Sequence, residues 1–113
     1  SDRTIEHEFI DKRKSLWNML ASEGYEMGLR DFLNTEYEKS LDLFFYQVVG
    51  YPTLSMLTVN LFYSPYGVTS LREYFANCFE AFFWSNDTDR VKKISPKVFD
   101  KLIKLLYYKE DEV

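Results

Sequence analysis

The sequence predicts a mostly α-helical domain, on three observations. Apolar residues recur at helical spacing over most of the chain. Helix-boundary signals fall where those periodic stretches begin and end. The 113 residues are 46% hydrophobic and 19% aromatic, enough for one domain with an aromatic-rich core and too few for two.

Ile5, Phe9, Leu16, Met19 and Leu20 mark a first helix from about Thr4 to Ser22, and Gly24 and Gly28 punctuate the stretch after it. A second helix is expected from about Leu29 to Val49 on Phe32, Leu33, Tyr37, Leu41, Phe44, Phe45 and Val48. Asn34-Thr35 weakens its first half, with Thr35 placed to cap a shorter helix. Gly50-Tyr51-Pro52 ends that helix, because glycine accepts the C-cap conformation and proline cannot continue the ladder. Leu54 to Tyr63 fits a buried helix or a strand, with helix preferred. Ser64-Pro65-Tyr66-Gly67 reads as a loop. The next helix should run from near Ser70 to near Trp84, with Leu71, Phe75, Cys78, Phe79 and Phe82 as its apolar stripe. Ser95-Pro96 opens the last helix as an N-cap followed by proline. That helix buries Val98, Phe99, Leu102, Ile103, Leu105 and Leu106, then frays into Glu110-Asp111-Glu112.

A net charge of −4 argues against a nucleic-acid binder that depends on phosphate contacts. Lys12, Arg13 and Lys14 form the one tight basic cluster, read here as a solvated helix face. The single cysteine, Cys78, excludes an intrachain disulfide and a cysteine-rich zinc site, and it sits in an apolar run as a packing residue. No apolar run approaches the ~20 residues that span a bilayer. The four glycines stand apart, so no phosphate-cradling loop is present.

Two clusters carry candidate chemistry. His7 and Asp11, four apart on a helix, stand one turn apart on one face, with Glu8 directly after the histidine. Far downstream, Tyr66-Gly67 precedes Glu73-Tyr74-Phe75-Ala76-Asn77-Cys78-Phe79. Each residue also has an ordinary reading. A lone helical histidine is commonly a surface residue, and Glu8 and Asp11 suit the first turns of a helix electrostatically. Ser70-x-x-Glu73 is a capping-box pattern. Tyr66, between Pro65 and Gly67, suits a turn packed on the core.

Taken together, the two clusters resemble the catalytic domain of the anthrax lethal factor-like zincins, which are gluzincin metalloproteases. In that family a His-Glu-x-x-His helix is completed by a glutamate on a later helix, with a Tyr-Gly before it. The family also has an Asp- and Arg-containing loop and an Ala-Pro-Lys-x-Phe helix start. Here Asp87-Thr88-Asp89-Arg90 and Ser95-Pro96-Lys97-Val98-Phe99 occupy those places. The match runs from about Ser64 to Leu106, with a weaker piece at His7 to Asp11. It implies a zincin-like helical domain, lacking most of the upstream β-sheet, as a single unit over residues 1–113. With six residues before His7, the chain is also expected to be a fragment or to have lost the substrate-binding half.

The resemblance implies one zinc held by His7, Asp11 and Glu73, with Glu8 as general base and Tyr66 stabilising the oxyanion or assisting the leaving group. Asp11 stands where the family has a second histidine, Asn77 where it has an acid, and the glycine before position 11 is missing. An added carboxylate ligand makes the metal a weaker Lewis acid and its water less acidic, so catalysis is expected to be impaired or absent. The leading expectation is a degenerate zincin serving as a binding or structural module, for instance in a toxin or a phage virion protein. The alternatives are an active zinc endopeptidase on a protein or peptide substrate, and an unrelated helical interaction domain. The last would use Tyr25, Trp84, Tyr107 or Tyr108 as its contact patch.

Overall fold

A computed structural model describes the backbone of residues 3–112 and side chains through residue 108. The chain is mostly helical, and the described residues include no strand. α1 spans Arg3–Ser22, α2 Leu29–Phe32, α3 Lys39–Leu43, α4 Tyr51–Thr58, α5 Leu71–Phe83, α6 Thr88–Ile94 and α7 Pro96–Glu112. A π-helical segment, Phe44–Gly50, joins α3 to α4, and a 3₁₀ turn, Pro65–Val68, precedes α5.

α1 is the central beam. Ile5, Phe9, Arg13, Leu16 and Leu20 form its buried face, at the three- and four-residue steps of a helical stripe. Phe9 packs against Phe62 and Tyr74, with ring centroids 6.3 and 5.5 Å away, and Phe62 meets Tyr74 edge-on. A second aromatic group, Phe32, Phe44 and Phe45, lies beside α2 and the π-helical segment. α7 closes the other side with Val98 and Leu102, both fully buried.

The expected helix from Leu29 to Val49 is interrupted. α2 stops at Phe32, and the chain runs irregularly until α3 begins after Glu38. Thr35 caps no helix; its carbonyl accepts the Leu71 N–H at 2.8 Å, tying the connection to the start of α5. The break at Gly50 is where the sequence placed it, since Gly50 has φ +90, a conformation that a side chain disfavours. Of residues 54–63, 54–58 belong to α4 as preferred while 59–63 are turns and bends, and residues 88–94 form α6 where residues 87–90 suggested a loop. The last helix continues to Glu112. On α5 the deeply buried residues are Tyr74, Cys78, Ala81 and Phe82, while Leu71, Phe75 and Phe79 are only half-buried. The stripe is therefore rotated toward α1, because Tyr74 brings a hydroxyl that the interior can satisfy.

The basic cluster is corrected most. Arg13 is fully buried rather than solvated. Its Nε donates to the Val68 carbonyl at 2.6 Å, Nη1 to Phe32 at 3.0 Å and Nη2 to Thr69 at 3.0 Å. The guanidinium carbon also lies 4.8 Å from the centre of the Phe9 ring, with Phe32 and Phe45 close by. A planar fork with five N–H donors can spend its charge on carbonyl dipoles and ring faces, without a carboxylate partner. Burial lowers its pKa from 12.5 to about 10, so it stays protonated at neutral pH. Lys12 is half-buried too, and its ammonium donates to the Ile94 carbonyl at 2.6 Å, at the C-terminal end of α6.

Arg13→Leu should lower the unfolding free energy by about 3 kcal/mol or more, because three buried carbonyls lose their donors at once. Arg13→Lys keeps the charge but cannot span all three acceptors, and should fall between parent and Arg13→Leu. Urea titration followed by circular dichroism measures both; an unchanged midpoint for Arg13→Leu would remove Arg13 from its structural role.

Candidate functional site

Position along α1 decides what the His7–Asp11 motif can reach. At about 100° per residue, His7 and Asp11 fall on the side away from Ile5, Phe9 and Leu16, and both are exposed. Glu8, one residue on, lies at the edge of the buried face and is half-buried. It is Glu8, not the histidine, that turns toward α5 and α7.

Both Glu8 carboxyl oxygens are engaged. Oε1 accepts a short hydrogen bond from the Tyr74 hydroxyl, and Oε2 accepts the Lys97 backbone N–H at 2.8 Å. Lys97 is the second residue of α7, where N–H groups have no partner within the helix. Glu8 therefore caps α7 from another helix, and its negative charge suits that end. The Tyr74 hydroxyl also lies 2.8 Å from Ser95 Oγ. A phenol has one proton, so with Glu8 taking it, Ser95 is the donor in that second contact. Burial, then the charge and hydrogen bond of Glu8, push the Tyr74 pKa far above 10, so the phenol stays neutral. Ser95, expected only as a helix cap, is wholly buried and gives its hydroxyl to this chain of contacts. Cys78 lies beside them, 1% exposed, with its thiol pushed up to about 11 by burial.

Glu73 is exposed on the first turn of α5, and its backbone N–H donates to Ser70 Oγ at 3.1 Å. The cap suggested by Ser70-x-x-Glu73 is thus formed on the serine side. Glu73 stands between two surface recesses. One, of about 610 Å³, also touches Ile5, Thr35, Tyr37, Leu71 and Phe75. The other, of about 260 Å³, is shared with Tyr66, Ala76, Asn77 and Glu80. Tyr66 is 61% exposed on the 3₁₀ turn. That turn is held close to α5, since Asn77 Oδ1 accepts both the Ser64 N–H and the Ser64 hydroxyl. A Cβ on Gly67 would come within 3.2 Å of Asn77 Oδ1, a tight contact that would push on the amide holding Ser64. Asn77, in the place of the family's acid, anchors the loop that presents Tyr66.

The structure brings Tyr66 and Glu73 together and leaves His7 and Asp11 on the outer side of α1. Among the described residues no three His, Cys, Asp or Glu side chains are placed to hold a metal ion. As arranged, His7, Asp11 and Glu73 do not fit a zinc centre. Of the aromatics suggested as a contact patch, Trp84, Tyr107 and Tyr108 are exposed, whereas Tyr25 packs edge-on against Phe44. None of the described helices is long and apolar enough to cross a membrane.

The residues missed in sequence are Tyr74 and Ser95. Tyr74 was hidden in an apolar run, and its only signal was a phenol at a position that a helical stripe can bury. No family model matches the chain, and neither a curated protein nor a solved structure matches it.

Two outcomes test the polar chain. Tyr74→Phe should destabilise by about 1–3 kcal/mol, as Glu8 loses a buried donor. The folded pKa of Tyr74 lies above its ordinary 10.0, so its contribution is complete below pH 10 and lost as pH rises beyond that. Parent stability should then fall more steeply above pH 10 than that of Tyr74→Phe, as read by urea midpoints across pH; parallel curves would place the proton elsewhere. Cys78, for its part, should resist a maleimide or disulfide reagent at pH 8 until denaturant is added. Rapid labelling of the folded chain would show that α5 opens.

Proposed function

We propose that this chain is a non-catalytic binding or structural module on a lethal factor-like zincin scaffold. The observation that carries the reading is the double engagement of Glu8. A general base must have a free oxygen facing a metal-bound water. Here one oxygen holds the Tyr74 phenol and the other caps α7. The placement of His7 and Asp11 on the solvent side of α1 supports the same reading. So does Asn77, whose carbonyl oxygen is taken up by Ser64. What the scaffold offers a partner is the surface around Tyr66 and Glu73, where an exposed ring and a carboxylate share a recess.

The deciding experiment combines metal content with a single substitution. The chain and His7→Ala, purified with added zinc and then desalted, should both retain far less than one zinc per chain by elemental analysis. Glu8→Gln should unfold at lower urea, by about 1–3 kcal/mol, since an amide cannot accept from both donors. Near-stoichiometric zinc that is lost in His7→Ala, with peptide cleavage abolished in a Glu8→Gln protein of unchanged stability, would establish the active endopeptidase instead.

A further inference from the structure

Three tyrosines with incompletely buried rings converge from three separate elements. Tyr46 lies on the π-helical segment, Tyr51 opens α4 and Tyr66 sits on the 3₁₀ turn. Tyr46 and Tyr51 are five residues apart, on either side of the Gly50 break. Their rings lie nearly parallel, 15° apart with centroids at 6.4 Å. Tyr46 sits on the π-helical segment, of a kind that recurs at functional sites, and Gly50, with its non-helical φ, turns the chain before Tyr51. The Tyr66 ring lies 6.3 Å from that of Tyr51 and is tilted by 59°, so the two form an open corner. Tyr51 is 44% exposed, and Tyr66 more so. Tyr63 and Tyr74 give their hydroxyls to Asp87 and Glu8, but these three hydroxyls make no hydrogen bond among the described residues.

The charged groups that face Tyr46 and Tyr66 are carboxylates, while Arg72, next to Glu73, lines the neighbouring recess. Burial is the main cause that raises the Tyr46 pKa to about 12, and Asp42 and Glu73 are the carboxylates that add to it. Glu73 and Glu80 line the recess beside Tyr66, and that recess has no cationic lining residue. Ring faces are negative and so are the carboxylates, hence the complement is a cation. A hard metal ion would use the carboxylates and gain nothing from the rings. A primary ammonium keeps its water on a surface this open. A quaternary ammonium is weakly hydrated and presents methyl groups that fit against ring faces.

We infer that Tyr46, Tyr51 and Tyr66, flanked by Asp42 and Glu73, form a surface site for a small quaternary ammonium compound of the choline type. This rests on the binding-module reading through Tyr66 and Glu73 and extends it with the Tyr46–Tyr51 pair, which plays no part in the zincin motif.

The test is a titration of the full 113-residue chain with choline chloride. It is followed by the aromatic proton–carbon resonances of tyrosine and repeated with 3,3-dimethylbutan-1-ol, the uncharged isostere. Saturable shifts are expected for choline with a dissociation constant of order 1 mM, and binding of the isostere at least about tenfold weaker. Tyr51→Leu and Tyr66→Leu should each weaken choline about fivefold, which is the size of one exposed cation–π contact of ~1 kcal/mol. Glu73→Gln should weaken it about threefold and blunt its salt dependence, while its backbone N–H still reaches Ser70. Tyr108→Phe, an exposed ring on α7 outside the corner, should change nothing, and thermal melts confirm that every variant is folded. Equal affinity for choline and the isostere would overturn the assignment. So would unsaturable shifts, or full affinity in folded Tyr66→Leu. Stoichiometric zinc with choline binding retained would sink the non-catalytic reading alone; a zinc-free chain blind to choline would sink this site alone.

Discussion

The rest of the structure depends on one buried cation. Arg13 stands midway along α1 and reaches the carbonyl end of α2 and the two residues that lead into α5. Those carbonyls stand at the last residue of α2, the last residue of the 3₁₀ turn and the residue after it, where no further turn follows to satisfy them, and buried acceptors without donors are costly. One guanidinium answers three of them. With Phe9, Phe32 and Phe45 around it, the charge rests among ring faces rather than against a carboxylate. An arrangement of this kind is unforgiving, because the cost of desolvating the charge is offset only when every donor is placed.

A second polar thread repeats the logic at the other side of α1. Glu8 caps α7, Tyr74 links it to Ser95, and Lys12 holds the C-terminal end of α6. Lys12 and Glu8 are four apart on α1, so a single helical face docks both α6 and α7 through their terminal backbone groups. The short helices near the C-terminus are thereby held by electrostatics at their ends as well as by apolar packing. That use of Glu8 is also what sets its orientation. A side chain drawn inward to cap a neighbouring helix leaves the residue before it, His7, facing solvent.

The proposed binding surface lies elsewhere, where α5, the 3₁₀ turn and α4 meet. Asn77 and Gly67 work together there: the amide fixes Ser64, and the missing side chain leaves that amide room. Tyr66 is presented as a result, within reach of Tyr51 and beside Glu73. The surface is built by positioning backbone, and its exposed rings are the consequence.

Local chemistry made much of the helical order legible in sequence. The α1 and α5 boundaries, the glycine break at residue 50 and the Ser95-Pro96 start of α7 follow from periodicity, φ preference and capping, which act over a few residues. The serine half of the α5 cap was legible for the same reason. Tertiary structure decided the rest, because those outcomes depend on partners distant in sequence. Arg13 lies in a run that reads as solvated until carbonyls 19, 55 and 56 residues away turn toward it. Glu8 and Tyr74, 66 residues apart, have no local signal of their pairing. The spacing of His7 and Asp11 puts them on one face of a helix, but which way that face points is set by what the opposite face buries. Sequence by itself placed most of the helix starts and stops; only packing determined which of their polar side chains are committed to the fold and which stay exposed.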